Sequence, residues 1–349
     1  MNLYRRLAFA ALLLTFVVVV FGAYVRLADA GLGCPDWPGC YGKLSPAHAA
    51  EIIRDAHAAE PHGPVSMPKA WKEMIHRYLA SALGMLIIAL ALLAWRQRRD
   101  ARAAPAVALA LLAVVIFQGL LGMWTVTLLL KPAIVSAHLL GGLSTLALLA
   151  WLVLRAAGAR RLDAAPPGLR VLAALAFVLL AGQIALGGWT STNYAALACT
   201  DFPTCHGSFA PEADYANAFH VVRELGMTAD GDLLSNAALT AIHWSHRVGA
   251  LIAGTALLVL GLLLYRREAT RVCGTVLLVT LGVQLALGIA NVLLSLPLAL
   301  AAAHNGGAAL LVMVMVWINF RLAGPARQAR SARAAQLMAM PIAFGGGRR

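Results

Sequence analysis

Residues 7–27 read LAFAALLLTFVVVVFGAYVRL, and this stretch decides how the rest of the chain is interpreted. It is apolar for long enough to cross the hydrocarbon core of a bilayer as a helix, which takes about 20 residues. The whole chain is 61% hydrophobic and only 12% charged, whereas a soluble domain carries about 25% charged residues. We therefore predict an all-α polytopic membrane protein, because lipid offers no partner to an unpaired backbone group. Its eight predicted spans cover, roughly, residues 7–27, 74–95, 105–128, 133–154, 169–190, 238–265, 272–295 and 298–320.

The basic residues indicate how the chain is oriented. The net charge is +13, and most of the 28 lysines and arginines fall at the N-terminus, in three connections and after the last span. With eight spans, all these segments lie on one side, which the positive-inside rule assigns to the cytoplasm. This distribution disfavours nucleic acid as a partner and favours the lipid surface. We expect a bacterial inner-membrane protein with cytoplasmic termini, a basic tail at 326–349, and periplasmic segments at 28–73 and 191–237.

The two halves of the chain repeat each other. Residues 34–42 (CPDWPGCYG) align with residues 199–207 (CTDFPTCHG) at an offset of 165. Four spans in each half is an even number, so both halves keep the same orientation. The sequence therefore predicts two four-helix bundles, at 1–160 and 161–325, related by a pseudo-twofold axis along the membrane normal.

Four histidines occupy matched depths. His76, His138, His246 and His304 each lie near the outer end of an even-numbered span, where an ionisable side chain indicates a function. Spans of the same direction can bring His76 to face His138, and His246 to face His304. Two imidazoles in an apolar bundle suit a porphyrin whose iron is ligated on both faces. The alternative is four capping or hydrogen-bonded histidines at the membrane interface. The nearby small residues are Gly84, Gly141, Gly142, Gly249, Gly254, Gly306 and Gly307.

Charged residues beside these histidines distinguish the halves. Arg77 and Arg247 each follow a histidine and are candidates to bind haem propionates, or else reach toward water. Glu73 precedes His76 by three residues and so shares its helix face, whereas the second half has His243 at that position. A carboxylate there could move protons or stabilise a developing cation, or it could simply begin a helix. The asymmetry suggests that one half reacts and the other carries electrons.

The outer segments contain two cysteine pairs, Cys34 with Cys40 and Cys199 with Cys205. The outer compartment is oxidising, so a disulfide within each short loop is expected. Two interpretations stay open for these bridges, a structural staple and a redox-active relay toward the neighbouring site. Cys273 stands alone near the cytoplasmic side and is predicted to pack in the core.

In combination, these motifs resemble the haem A synthase family, also called the cytochrome oxidase assembly protein 15 family, over about residues 5–322. The resemblance implies a membrane oxidoreductase that oxidises the C8 methyl of haem O to a formyl group by successive hydroxylations, giving haem A for terminal oxidases. One departure is Tyr41, where the family pattern has a histidine. The residues that carry the resemblance are Glu73, His76, Arg77, His138, His246, Arg247, His304 and the Cys34–Cys40 loop.

The same resemblance implies roles for these residues. The first half would hold the substrate haem between His76 and His138, and the second a haem b between His246 and His304. Glu73 would be the catalytic residue. A haem O synthase and oxidase assembly factors are the expected partners, together with an electron donor that the sequence does not name and a homo-oligomeric partner chain.

The main alternative is a di-haem b protein that only relays electrons, for example to quinone. Such a relay would usually place its haems nearer both membrane faces, whereas all four histidines here lie toward the outer side. Glu73 and the cysteine loops would also have no role in it. A repeat-built transporter is a third alternative, but the spans carry almost no charge near the midplane.

Overall fold

The computed structural model describes residues 3–100, 102–162 and 165–324. Within these ranges the chain forms helices and no named strand, and eight of the helices are long and apolar enough to cross a membrane. The predicted all-α membrane fold is therefore confirmed, while the predicted tail 326–349 lies outside the described residues. The helices are α1 (Leu3–Leu27), α2 (Ala50–Ala59), α3 (Met67–Arg96), α4 (Pro105–Thr127), α5 (Pro132–Ala156), α6 (Pro167–Thr192), α7 (Tyr215–Ala218), α8 (Asn236–Tyr265), α9 (Arg271–Leu293) and α10 (Leu298–Leu322).

Helix α3 begins well before the predicted second span. The apolar run suggested a start near residue 74, but the helix begins at Met67, after Ser66 and with a proline in its first turn. Proline suits this position because its missing N–H has no partner in a first helical turn. Glu73 therefore lies inside a helix, and its interpretation as a helix-start residue is wrong.

The spanning helices pack with the same neighbours in each half. In the first half, α1 and α4 each pack against both α3 and α5. In the second half, α6 and α9 pack in the same way against α8 and α10. The histidine-bearing helices thus occupy opposite corners of each group of four. The parallel repeat that this pattern suggests stays a prediction.

Large apolar side chains cover the outside of both groups. Met85 and Leu92 on α3, and Val171 and Leu251 in the second half, are each 60% exposed or more. Exposed apolar surface on this scale is unfavourable in water and favourable in lipid. The apolar exterior therefore agrees with a multi-pass membrane protein.

A polar cluster joins the halves near the end of α1 and the end of α6. The Arg26 guanidinium donates to the Ser191 carbonyl at 3.1 Å and stacks 4.2 Å from the centre of the Tyr194 ring. The Tyr194 hydroxyl donates to Asp29 at 2.9 Å. Arg26 and Ser191, like Asp29 and Tyr194, are 165 residues apart, which is the offset of the sequence repeat. Repeat-related residues are expected to contact each other only close to a twofold axis.

Candidate functional site

The structure brings the four predicted histidines together in two pairs. His76 on α3 and His138 on α5 lie close enough for their rings to interact electrostatically. His246 on α8 and His304 on α10 do the same in the second half. The helices of each pair stand at opposite corners of their bundle, so the two histidines of a pair lie on helices that face each other across its interior. Their role as haem ligands stays a prediction.

Each histidine ring lies against a glycine of a neighbouring spanning helix. A β-carbon added to Gly22 would lie 2.8 Å from Cε1 of His76. The corresponding distance from Gly187 to His246 is 2.9 Å. Matching distances are 3.0 Å from Gly288 to His304 and 3.4 Å from Gly122 to His138. We call these four contacts the glycine cradles, since a side chain at the first three positions would push the imidazole aside.

The imidazoles of the first pair fit a haem iron better than they fit a purely structural role. Within the described part of the chain, neither ring of the His76–His138 pair forms a hydrogen bond, and both Nδ1 atoms are buried. Leaving a buried polar atom unpaired costs about 1–3 kcal/mol. Axial ligation would use one nitrogen of each ring. In residues 3–100, 102–162 and 165–324, no three histidine, cysteine or acidic side chains cluster around a common point, so a zinc site made by the protein alone does not fit.

Glu73 anchors the first cysteine loop. Its buried carboxylate accepts the Cys34 N–H at 2.9 Å and forms an ion pair with Arg77. Arg77 in turn donates to the carbonyls of Asp36 at 2.8 Å and Gly39 at 2.6 Å. We call Glu73, Arg77 and the loop they hold the first clamp. It fixes the loop directly above the His76–His138 pair, because Glu73 and Arg77 flank His76 on α3.

A second clamp holds the other loop in the same way, with His243 in place of Glu73. His243 Nδ1 accepts the Cys199 N–H at 3.2 Å, and Arg247 Nε lies 3.2 Å from His243 Nε2. Arg247 donates to the carbonyls of Cys199, Asp201 and Thr204 at 2.7–2.9 Å. The sequence did not predict this use of the two arginines, although each follows a cysteine loop in its own half of the chain. Their predicted contact with propionates stays a prediction.

Both cysteine pairs are at disulfide distance. The Cα atoms of Cys34 and Cys40 lie 4.9 Å apart, as do those of Cys199 and Cys205. All four cysteines are buried. Cys273 is also buried, in the apolar core of the second half, and is the free cysteine of the described residues.

An aspartate closes each loop from inside. Asp36 accepts the N–H groups of Tyr41 and Gly42 at 2.6 and 2.7 Å. Asp201 likewise accepts those of His206 and Gly207. Hydrogen bonds from the Thr204 hydroxyl and from these backbone groups hold the pKa of Asp201 well below its usual range. The charged form of this aspartate is therefore part of the folded loop.

Tyr41 and His206 take equivalent places in the two loops, with φ of 52° and 53°. Burial raises the pKa of the Tyr41 phenol, and the Asp36 charge raises it further. His206 Nε2 lies 2.8 Å from the Ala198 carbonyl. A phenol with a raised pKa stays protonated near neutral pH, so Tyr41 cannot titrate there as a histidine would.

Comparison with known proteins places this arrangement in a family. The sequence model of the cytochrome oxidase assembly protein family, COX15-CtaA, matches residues 5–316. The chain belongs to this family. The two clamps, the four histidines and the glycine cradles all lie inside the matched range.

Curated relatives match over most of their length. A haem A synthase of Shewanella oneidensis is 42% identical over 314 residues, covering 89% of this chain and 94% of the relative. Haem A synthases of Nitrosospira multiformis and Sphingopyxis alaskensis are 27% and 29% identical, and cover 90% and 91% of this chain and 92% and 91% of themselves. None of these three names describes an electron relay.

Proposed function

We propose that the protein is a haem A synthase, an inner-membrane oxidoreductase that converts haem O to haem A by oxidising the C8 methyl to a formyl group through successive hydroxylations. The observation that carries the proposal is a pair of matched histidine sites of which only one has a carboxylate beside it. Glu73 precedes His76 by three residues on α3, and His243 precedes His246 by three residues on α8. Membership of the family, and curated haem A synthases that match almost end to end, support the same conclusion.

The first half is proposed to bind the substrate. His76 and His138 would hold haem O from its two faces, and the cradles at Gly22 and Gly122 would seat the two imidazoles. Glu73 shares the His76 face of α3, so its carboxylate would lie beside the bound substrate. Arg77 and the Cys34 N–H fix the direction of that carboxylate through charge-assisted hydrogen bonds.

The second half is proposed to hold a resident haem b between His246 and His304. That haem would supply one-electron transfer when bound. The protein's part is to hold both imidazoles against Gly187 and Gly288, and to keep lipid and water out of the bundle. Arg77 and Arg247 are proposed to face the propionates as well as their loops.

Glu73 is proposed to exchange a proton with the reacting group. Such general acid–base assistance contributes about 10²- to 10⁴-fold to a rate. The buried carboxylate is suited to this because its partners leave it in one orientation. Arg77 then balances its charge between turnovers.

The membrane orientation and the partners follow from the same proposal. Both termini are proposed to lie in the cytoplasm and both cysteine loops in the periplasm; the support for this is the positive-inside rule, applied to the basic connections and the termini. A haem O synthase would supply the substrate, and oxidase assembly factors would receive the product. The electron donor is an unidentified partner, and self-association into a homo-oligomer is a further proposal.

The direct test is to purify the protein and separate its extracted haems by chromatography. Haem B together with haem O or haem A supports a synthase. Two molecules of haem B per chain and nothing else would instead support a di-haem relay, and a preparation without haem would rule out both.

Variants of Glu73 test the carboxylate. Glu73→Gln keeps the size and can still accept the Cys34 N–H, so we expect haem to be retained while haem A formation falls at least a hundredfold. Glu73→Ala should remove product as well. His243→Ala breaks the equivalent loop contact in the other half and is the matched control, which should still make haem A. Normal product from Glu73→Gln would exclude the carboxylate from catalysis.

A further inference from the structure

Three of the four histidines have a glutamine beside them. Gln118 on α4 donates to the His138 carbonyl at 2.8 Å. Gln183 on α6 reaches both His246 Nδ1, at 2.9 Å, and the His246 carbonyl, at 3.0 Å. Gln284 on α9 lies 3.4 Å from His304 Nε2. Each of these glutamines lies four residues before the cradle glycine of the same helix.

A second glycine makes room for each glutamine. It lies three residues after the histidine, at Gly141, Gly249 and Gly307. A β-carbon added to any of the three would overlap the amide oxygen of the glutamine opposite. A larger residue would therefore displace the amide from its histidine. Histidine, glutamine and two glycines thus form one unit, which occurs three times in the chain.

His76 is the exception. The position four residues before its cradle glycine is Val18, and the position three residues after it is Leu79. Neither side chain can donate or accept a hydrogen bond. The Nδ1 atoms of His76, His138 and His304 all have no partner among the residues the structure describes, so His76 differs from the others by its missing glutamine and glycine and not by its Nδ1. The unit has thus lost both its glutamine and the glycine that accommodates it.

A glutamine suits a ligating histidine for a simple reason. An imidazole bound to iron through one nitrogen carries a proton on the other, which needs an acceptor to fix the ring. One amide offers both a donor and an acceptor, so it can serve the ring with or without metal. The amide oxygens of Gln118, Gln183 and Gln284 are buried and, within the described residues, without a partner. They are available for that proton.

We propose that Gln118, Gln183 and Gln284 are positioning residues that hold three of the four histidines, and that His76 is the ligand left free to release. This inference rests on the proposed function, in which a haem must enter and leave the first half at every turnover. A resident haem is best held by two fixed ligands, whereas a substrate haem needs at least one ligand that can dissociate from its iron. The one histidine without a glutamine is therefore in the half where substrate and product haem must exchange.

Haem transfer from the holoenzyme to excess apomyoglobin measures this difference directly. The wild-type protein should release haem in two phases, with haem O or haem A in the fast phase and haem B in the slow one. Gln183→Met and Gln284→Met should each speed the slow phase about 10- to 100-fold, the usual cost of losing a partner of a metal ligand. Leu285→Met, on the outward face of α9, is the matched control and should change neither phase.

Installing the missing unit gives the converse test. Val18→Gln with Leu79→Gly should slow the fast phase about tenfold and leave product haem bound after purification. The visible spectrum reports ligation in every variant, so a change of rate with an intact low-spin spectrum separates positioning from unfolding.

Two results would overturn the inference while leaving the proposed function standing. One is haem B release that is unaffected by both Gln183→Met and Gln284→Met. The other is a slow phase that carries haem O or haem A in the wild-type protein. If the variant with Val18→Gln and Leu79→Gly does not fold, the release rates of Gln183→Met and Gln284→Met still test the inference. Failure of the proposed function would show itself differently, as a preparation that contains no haem O or haem A.

Discussion

The first and second clamps hold nearly the same loop with different chemistry. Both use an arginine on the loop carbonyls and one side chain that accepts a cysteine N–H. The Glu73 carboxylate can accept from Cys34 and Arg77 together, whereas a neutral imidazole at His243 has one acceptor nitrogen for two N–H groups. Since the loop forms with either residue, the fold does not require the carboxylate. That makes a chemical role the better explanation for Glu73.

The two histidine pairs also differ between the halves, in the number of glutamines that contact them. The second half has a glutamine beside both histidines, and the first half only beside His138. The departures from the repeat at residues 18, 73 and 79 therefore all concern the His76 site. A site that must admit a substrate and react with it gains from a looser ligand and a charged neighbour, while a site that holds a resident group does not.

Substitution of the cradle glycines is expected to have the largest effect on this contrast between the two halves. Gly22→Leu should push His76 aside and weaken retention of haem O or haem A about 10- to 100-fold, because overpacking costs about 1–3 kcal/mol. Gly187→Leu should do the same to haem B in the second half. Haem content by chromatography checks both.

Gly182→Leu is the control for this pair, since open space surrounds that position on α6. It should retain both haems. Loss of the same haem from Gly22→Leu and Gly187→Leu would contradict the assignment of the two halves.

The cysteine pairs are expected to have an intermediate effect. Replacing both cysteines of one loop by serine removes a short cross-link, which in the chain-entropy account stabilises by about 2 kcal/mol. A purely structural role predicts a similar fall in Tm for the Cys34/Cys40 and Cys199/Cys205 variants, with haem A formation preserved below that Tm. If only the first variant also loses haem A formation well below its Tm, the redox interpretation is favoured for that loop.

The smallest effect is expected from Asp201→Asn and concerns pH. The pKa of Asp201 is lowered in the folded protein, so its contribution to stability is present above the unfolded value of about 3.9 and is lost as the pH falls toward the folded value. The Tm of the wild type should exceed that of the variant at pH 7, and the gap should narrow below about pH 4. A gap that stays constant from pH 7 to pH 3 would show that the charge is not involved.

Much of the site could be predicted from sequence because its chemistry is unusual for its surroundings. A histidine in an apolar span and a cysteine pair in a repeated loop stand out without a structure. Gln118, Gln183 and Gln284 did not stand out as partners of histidines, because each lies on a different helix from the ring it touches. The start of α3 at Met67 was missed for a related reason. The residues before the apolar run are polar, and the first loop packs against them: Gly33 lies against the backbone of Ala70, and the Cys34 Sγ contacts the Ala70 carbonyl.

The sequence by itself determined the eight spans and singled out the candidate ligands, since apolar length and repeated motifs are local properties of the chain. Only the tertiary structure decided what Arg77 and Arg247 hold, that Glu73 and His243 are equivalent, and that a glutamine contacts each of the other three histidines but not His76. Those contacts join residues distant in the chain. They depend on how helices pack, which no single segment encodes.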